Sequence, residues 1–386
     1  MTFCFLIYSY FPYGGQQRDF HRIVSECIAR GHEVRIYTHR WQGPRIENAN
    51  ITLVPVRAFN RTRLYKKFTH WVMKDLERTT VDAVVGFNKM PGLDIYFAAD
   101  PCFAEKALTQ RGFYYRFSLR FRHFIDYERA VFRDGSNTRV LLLSRMQQRS
   151  FIRFYPESAD RLYPVPPGID PDRKATAHAP DLRQELRKRL GLEPKKLLIL
   201  QVGSGFRVKG VDRSLRACAA LPDEIRERVC YILIGQDKPG PYLRLARKLG
   251  IGDAITILPG RDDIPRFMFG ADLLLHPAYS ESAGYVLLEA VIAGLPVLTT
   301  ASCGYAEHII NAGAGEVCNE PFSQEDLNRR LLQMLTSSER PKWSANGIAY
   351  GKREDLYSLP KSAMDLIEKF ASEPADTRGR EHAVSQ

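Results

Sequence analysis

Residues 271–304 read ADLLLHPAYSESAGYVLLEAVIAGLPVLTTASCG, and this stretch decides the fold class. Leu273, Leu274, Leu275 and His276 make a near-apolar run of strand length. Residues 279–284 are small and polar, residues 285–293 carry helical spacing, and Gly294-Leu295-Pro296 stops that helix before Val297-Leu298-Thr299-Thr300 begins another strand. Strand, loop, helix and strand in this order form a βαβ unit, and ligands bind at the strand-to-helix turn of such units.

Two carboxylates fall within it. Glu281 lies in the loop, and Glu289 lies in the helix between Leu288 and Ala290, where an ionised carboxylate is costly without donors around it. Ser282, Ala283 and Gly284 are small enough to let a ligand reach the backbone. The first amides of the helix are unpaired donors that suit a phosphate. The alternative reading makes Glu289 a capping or salt-bridged residue and Glu281 a solvated loop acid.

A chain of 386 residues exceeds what one core usually covers and predicts two domains. No apolar run approaches a membrane span, and the opening residues 1–8 lack a basic start, so they read as a first strand and the expected location is the cytoplasm. Seven cysteines are scattered without a close pair, which fits neither a zinc site nor a disulfide framework. A net charge of +12 favours an acidic partner: nucleic acid, an anionic membrane face or a phosphorylated substrate.

In the first half, residues 3–8 form a strand, Gly14 and Gly15 a turn, and residues 17–30 a helix, followed by a strand at 34–38. This opens a Rossmann-like half, although a lone Gly-Gly pair does not match the three-glycine dinucleotide fingerprint. Asp19 stands one turn into the helix, either at the rim of the site or as a first-turn acid complementing the helix dipole. Strands are expected at 51–56 and 83–87 and a helix at 65–77. Asp94 and Asp100 are the acids available near the next loop, and Asp100 is the preferred acceptor-side residue. Within residues 103–132, Arg111, Arg116, Arg120, Arg122 and Arg129 interleave with the seven aromatics from Phe113 to Tyr127. Read as a helix from about Tyr114, they suit an anionic membrane interface, single-stranded nucleic acid, or simply an amphipathic surface helix.

Residues 162–170 make an extended, proline-rich crossing, and Asp170-Pro171-Asp172 at its end reads as interdomain turn chemistry, not a metal site. Residues 197–203 begin a second parallel sheet. The loop Gly203-Ser204-Gly205-Phe206-Arg207-Val208-Lys209-Gly210 places two cations at a helix entrance, which suits a diphosphate. Arg261, after the strand at 255–258, either stacks on a base or pairs with Asp262. A helix at 324–336 and a terminal helix at 357–371 are expected.

Glu281 and Glu289, with seven residues between them, resemble the Glu-x7-Glu signature of the retaining glycosyltransferases of the GT-B fold, an α/β architecture of two Rossmann-like domains whose parallel sheets face across a cleft. The resemblance implies a first, acceptor domain at 1–168, a nucleotide-sugar domain at 169–355, a helix at 356–371 returning to the first domain, and a disordered tail at 372–386. It implies that Glu281 contacts the transferred sugar, Glu289 holds the ribose, and Lys209 binds phosphate. Arg207 stands in for an arginine the family carries where this chain has Ser204. Gly14 and Gly15 face the donor, with Asp19 beside them. Ser282, Ala283, Gly284 and Arg261 complete the donor contacts, and neither a metal nor a cofactor is required.

The segments 10–15, 17–20, 85–94, 166–169, 209–214 and 276–279 resemble more closely the lipopolysaccharide core glucosyltransferase I family, over almost the whole chain. This implies transfer of glucose from UDP-glucose, with retention, to an inner-core heptose of a lipid A-linked oligosaccharide at the cytoplasmic face of the inner membrane. A phosphorylated, membrane-held acceptor would account for the positive charge and for residues 103–132. The rivals are a related transferase using UDP-galactose, UDP-N-acetylglucosamine or another acceptor, and a basic nucleic-acid-binding protein.

Overall fold

A computed structural model describes residues 1–12, 14–109 and 111–373. The chain divides into two compact units, one of Met1–Gly168 with the segment from Ser358 onward, the other Ile169–Tyr357. The first unit holds a seven-stranded sheet in the order Ala49–Leu53, Glu33–Thr38, Thr2–Leu6, Ala83–Gly86, Ile95–Ala98, Arg139–Leu142, Leu162–Pro164, every pair parallel. The inner strands are continuous apolar runs because both faces are covered. Ser9–Tyr10 and Arg40–Trp41 pair separately. The final helix, Leu359–Ser372, packs on the first, Gly15–Ala29. There Arg30 bridges Asp365 and Glu368 at 2.8 and 2.9 Å, and His32 meets Glu368 at 2.7 Å.

The second unit holds a six-stranded parallel sheet in the order Ile255–Leu258, Val229–Ile234, Leu197–Val202, Leu273–His276, Val297–Thr300, Gly315–Cys318. The chain reverses its direction of progress between Leu197–Val202 and Leu273–His276. In open α/β sheets the loops on either side of that reversal form the ligand crevice. They are residues 203–210 and 277–284. In the first unit the equivalent reversal lies between Thr2–Leu6 and Ala83–Gly86, beside Gly14 and Gly15.

Several expectations shift. The helix expected from residue 65 begins at Arg61, because the Asn60 side chain accepts from the Arg63 amide (2.9 Å) and caps it. The helix expected from Tyr114 starts only at Leu119, capped by Ser118 at 3.0 Å, and residues 113–117 form a 3-10 turn before it. Of the tail expected to be disordered, Ser372 ends the last helix and Glu373 pairs with Arg139. Residues 374–386 lie outside the described residues.

The two crevice loops of the second unit are packed tightly together. The Tyr279 amide donates to the Val208 carbonyl at 2.8 Å, and Gly210 adopts φ +67° with no room for a side chain: a Cβ there would sit 2.0 Å from the Pro277 carbonyl oxygen. Gly205 is also left-handed (φ +74°) but faces open space. Gly210→Ala is therefore expected to cost about 2–4 kcal/mol of stability, through strain and overpacking. Gly205→Ala should cost about 1 kcal/mol. Denaturant unfolding of the two variants checks this, and equal losses would contradict the packing argument.

Candidate active site

The strand Leu273–His276 ends on a polar residue, and its loop returns Glu281 to that residue. His276 is fully buried and its Nε2–H donates to Glu281 Oε2 at 2.7 Å. The Lys209 ammonium, from the neighbouring loop, donates to Glu281 Oε1. The Glu281 side chain is 17% exposed. Burial alone would push its carboxyl up, but the charge and hydrogen bond of His276, then those of Lys209, outweigh burial and hold it at about 2. A carboxylate so held is a permanent anion with little basicity. It can orient or stabilise positive charge, and it is a poor proton acceptor at neutral pH.

The surrounding backbone fixes this clamp. The Glu281 amide donates to the Ser302 carbonyl (3.0 Å) and the Gly304 amide to the Glu281 carbonyl (2.9 Å), while Thr300 and Ser302 hydroxyls hold the Ala278 carbonyl at 2.8 and 2.7 Å. Arg213 donates to the Pro277 and Ala278 carbonyls, 3.3 and 3.1 Å, and lies between the Tyr279 and Phe322 rings, 3.6 Å from each centroid. On the lysine side, buried Gln201 donates to the Lys209 carbonyl at 2.7 Å and accepts from Ser214 and Tyr231. His276, Gln201 and Arg213 join the site through the fold and are not among the candidates given above. Two of them carried a signal, each being a polar residue in an otherwise apolar buried strand.

Ser282 and Ala283 are buried, and Gly284 starts the helix Tyr285–Ile292 in the left-handed region (φ +102°). Glu289 is 8% exposed and sits one turn inside that helix. Arg207 is exposed and has no ion pair among the described residues. Ser204, at the position of the family's arginine, accepts from the Gln236 amide at 3.0 Å. Arg261 pairs with Asp263, not Asp262, through a 2.8 Å second contact, and lies over Phe267. Two residues on is where the chain turns into the helix Ile264–Gly270, which brings that carboxylate back to the guanidinium. His276, Glu281 and Cys303 offer donor atoms within 4.8 Å of one another. Burial and then Glu281 push the Cys303 thiol up to about 11, so it is protonated and a poor metal ligand near neutral pH.

In the first unit Asp19 is 2% exposed and lies beyond the first turn of Gly15–Ala29, which contains no acid, so the helix-dipole reading is corrected. Gly14 caps that helix with an ordinary φ of −90°; a Cβ there would strike the Gln17 side chain, whereas one at Gly15 would meet nothing within 4 Å. Asp100 follows the strand Ile95–Ala98 and opens onto a cavity. Protein crowded around it pushes its carboxyl up despite the opposing charge of Lys89. Sequence reasoning also missed Glu128. It is fully buried and accepts from Lys89 (2.5 Å), the Phe103 and Ala104 amides (2.6 and 2.7 Å) and the Tyr155 hydroxyl (3.0 Å), tying residues 103–132 to the sheet.

The family model of group 1 glycosyl transferases matches residues 183–350, and that of glycosyltransferase family 4 matches residues 13–173. The lipopolysaccharide glucosyltransferase WaaG of Escherichia coli K12 is 47% identical over 368 residues, covering 95% of this chain and 98% of its own. The chain belongs to the lipopolysaccharide glucosyltransferase family. It is a glycosyltransferase of GT-B fold. The crystal structure of WaaG has a TM-score of 0.90 to this glycosyltransferase, at 47% identity, over 95% of this chain and 99% of the other. A D-inositol 3-phosphate glycosyltransferase of Mycobacterium sp. (strain KMS) is 34% identical over 170 residues, 43% of this chain and 38% of its own. HepE of Anabaena, in complex with UDP and glucose, has a TM-score of 0.72 at 17% identity over 96% of this chain and 100% of its own, a likeness of fold alone.

The clamp has a pH signature. Because the folded-state pKa of Glu281 lies below its ordinary value of 4.5, its ionisation contributes stability that is complete above about pH 4.5 and is lost as pH falls toward 2. Glu281→Gln should therefore melt lower than wild type at pH 7, with the gap narrowing as pH falls through that window. A gap independent of pH would refute the ion-pair origin.

Proposed function

We propose that this glycosyltransferase moves glucose from UDP-glucose to a phosphorylated inner-core heptose of lipid A-linked oligosaccharide, with retention at the anomeric carbon. The carrying observation is the Lys209–Glu281–His276 clamp at the sheet's reversal point, in a chain 47% identical to WaaG. Without donor, Lys209 neutralises Glu281. As UDP-glucose enters, its diphosphate competes for the ammonium, joined by Arg207 and the amides at the start of Val211–Ala219, while Glu289 accepts the ribose hydroxyls. Glu281, freed from Lys209 but still held by His276, takes the glucose hydroxyls. The acceptor hydroxyl then attacks the anomeric carbon on the face from which UDP departs, and its proton passes to the departing phosphate oxygen. Lys209 and the helix amides stabilise the charge on that oxygen.

Glu281 is a weak base, so it orients the sugar and stabilises the cationic character of the anomeric carbon. Asp100 is the acceptor-side carboxylate, placed to accept hydrogen bonds from the acceptor's hydroxyls, while the proton of the attacking hydroxyl leaves with the phosphate. Ser282, Ala283 and Gly284 let the sugar approach, and the family resemblance assigns Gly14, Gly15 and Asp19 to donor binding as well. Arg261 is engaged by Asp263, so any stacking on uracil uses the guanidinium face that this pairing leaves.

Residues 103–132 are the proposed contact with the cytoplasmic face of the inner membrane. Phe113, Tyr114, Phe117 and Leu119 are 62%, 86%, 69% and 78% exposed among Arg111, Arg116, Arg120 and Arg122. Aromatic and basic groups together bind an anionic interface. Among the described residues no helix is long and apolar enough to cross a membrane. The nucleic-acid-binding alternative gives no account of the clamp.

The test is UDP release from a panel of UDP-sugars with heptosylated, lipid A-linked acceptor. Glucose-selective, acceptor-dependent turnover is expected, with Glu281→Ala and Lys209→Ala each lowering kcat about 100-fold or more. Glu289→Ala should raise the donor KM. No turnover with any donor by folded enzyme would remove the proposal.

A further inference from the structure

The first unit contains a cavity of about 730 Å³ that no step above uses, apart from Asp100 on its wall. Its floor is the carboxyl end of the sheet, where Tyr8, Asn88, Lys89 and Asp100 lie. One wall is the start of the helix Arg61–Leu76, and the other is the segment that carries the exposed aromatics. The size suits a sugar with a charged substituent.

Its charge is lopsided. Five basic side chains line it, Arg61, Lys89, Lys106, Arg111 and Arg120, against the single carboxylate of Asp100. Lys89 is neutralised by Glu128 at 2.5 Å and also donates to the Pro101 carbonyl at 2.7 Å. The other four form no ion pair among the described residues. Arg111 lies over the Tyr115 ring at 5.4 Å and Arg120 over the Phe124 ring at 5.8 Å, so each guanidinium is backed by an aromatic face and keeps its N–H edge for a ligand. The capped start of Arg61–Leu76 adds the positive end of a helix dipole beside them. Four cations collected around one cavity repel one another, and an anion relieves that cost. Tyr65, Phe103, Leu119 and Tyr127 supply an apolar wall for the body of the same ligand.

We propose that this cavity binds a phosphate ester carried by the acceptor glycan, with Arg61, Lys106, Arg111 and Arg120 as its ligands. The proposal rests on the reading of the chain as a transferase to a phosphorylated, lipid-held acceptor, and it assigns that phosphate to named residues. Asp100 shares the cavity, so a phosphate seated on the arginines would bring the acceptor's sugar beside that carboxyl. The same chemistry could come from a phospholipid headgroup, and the test separates the two sources.

The full-length enzyme is assayed with UDP-glucose and deacylated heptosylated core oligosaccharide, either phosphorylated or treated with phosphatase. Without acyl chains, membrane attachment cannot influence the result. Wild type should show a KM for the phosphorylated acceptor about tenfold or more below that for the dephosphorylated one. The double variant Arg61→Gln/Arg111→Gln should lose that preference while keeping wild-type affinity for UDP by calorimetry and an unchanged melting temperature. A second variant, Lys106→Gln/Arg120→Gln, guards against failure of the first to fold. Absence of phosphate preference in wild type would overturn the proposal. So would variants that retain the preference but lose co-sedimentation with phosphatidylglycerol vesicles, which would make the cavity a headgroup site. Failure of the wild type to bind UDP at all would instead count against the transferase reading itself.

Discussion

A carboxylate withdrawn from water must be paired, and in the second unit that requirement organises everything around Glu281. Its two oxygens are divided between Lys209 and His276, which come from the loops or strand ends on either side of the sheet's reversal point. Each partner must itself be placed. Gln201 holds the lysine's backbone, Arg213 holds the carbonyls that precede Glu281, and residues 300–304 hold the loop from the far side. The left-handed Gly210, pressed against Pro277, lets the two loops approach closely enough for the clamp to form. The clamp also explains how one site can serve an anionic donor. In the proposed mechanism the ammonium that neutralises the protein's own acid passes to the donor's diphosphate.

The first unit repeats this logic with a different purpose. Glu128 is as deeply buried as any of the described residues, yet it satisfies a lysine, two helix-start amides and a tyrosine hydroxyl. Removing one partner would leave an uncompensated charge inside the core, so the arrangement is all or nothing. It anchors the segment that both displays aromatics at the surface and walls the cationic cavity. The proposed acceptor recognition and the proposed membrane contact therefore both hang on one buried acid.

The parts of this molecule legible from sequence are those where burial is uniform. Leu273–His276 and Val297–Thr300 fall at the expected bounds, since a parallel strand covered on both faces is a mostly apolar run, here closed by His276 and by Thr299-Thr300 at the carboxyl ends. Glu281, Glu289 and Lys209 stood out as charges at places where a charge is costly or a phosphate is welcome. The helix Arg340–Arg353 was not legible, because Asn346, Gly347 and Gly351 are poor helix formers. Packing overrides propensity there: a Cβ at Gly347 would lie 2.6 Å from the Val291 carbonyl oxygen, and one at Gly351 would lie 2.7 Å from Ile292 Cγ2. The helix needs glycine to lie against Tyr285–Ile292. The start of the helix after Tyr114 failed for a local reason, since Ser118 caps a new helix and interrupts the periodicity. Glu128 was hidden among basic and aromatic neighbours, and only the tertiary fold shows that it faces inward.

Everything above depends on Glu281 being an ionised carboxylate held by Lys209 and His276. Carbon-13 NMR of the Glu281 side-chain carboxyl, followed through an acid titration, measures this directly. The expected midpoint is about 2 in wild type, moving up in Lys209→Met and in His276→Gln. A wild-type midpoint near the ordinary 4.5, unmoved by either substitution, would contradict it.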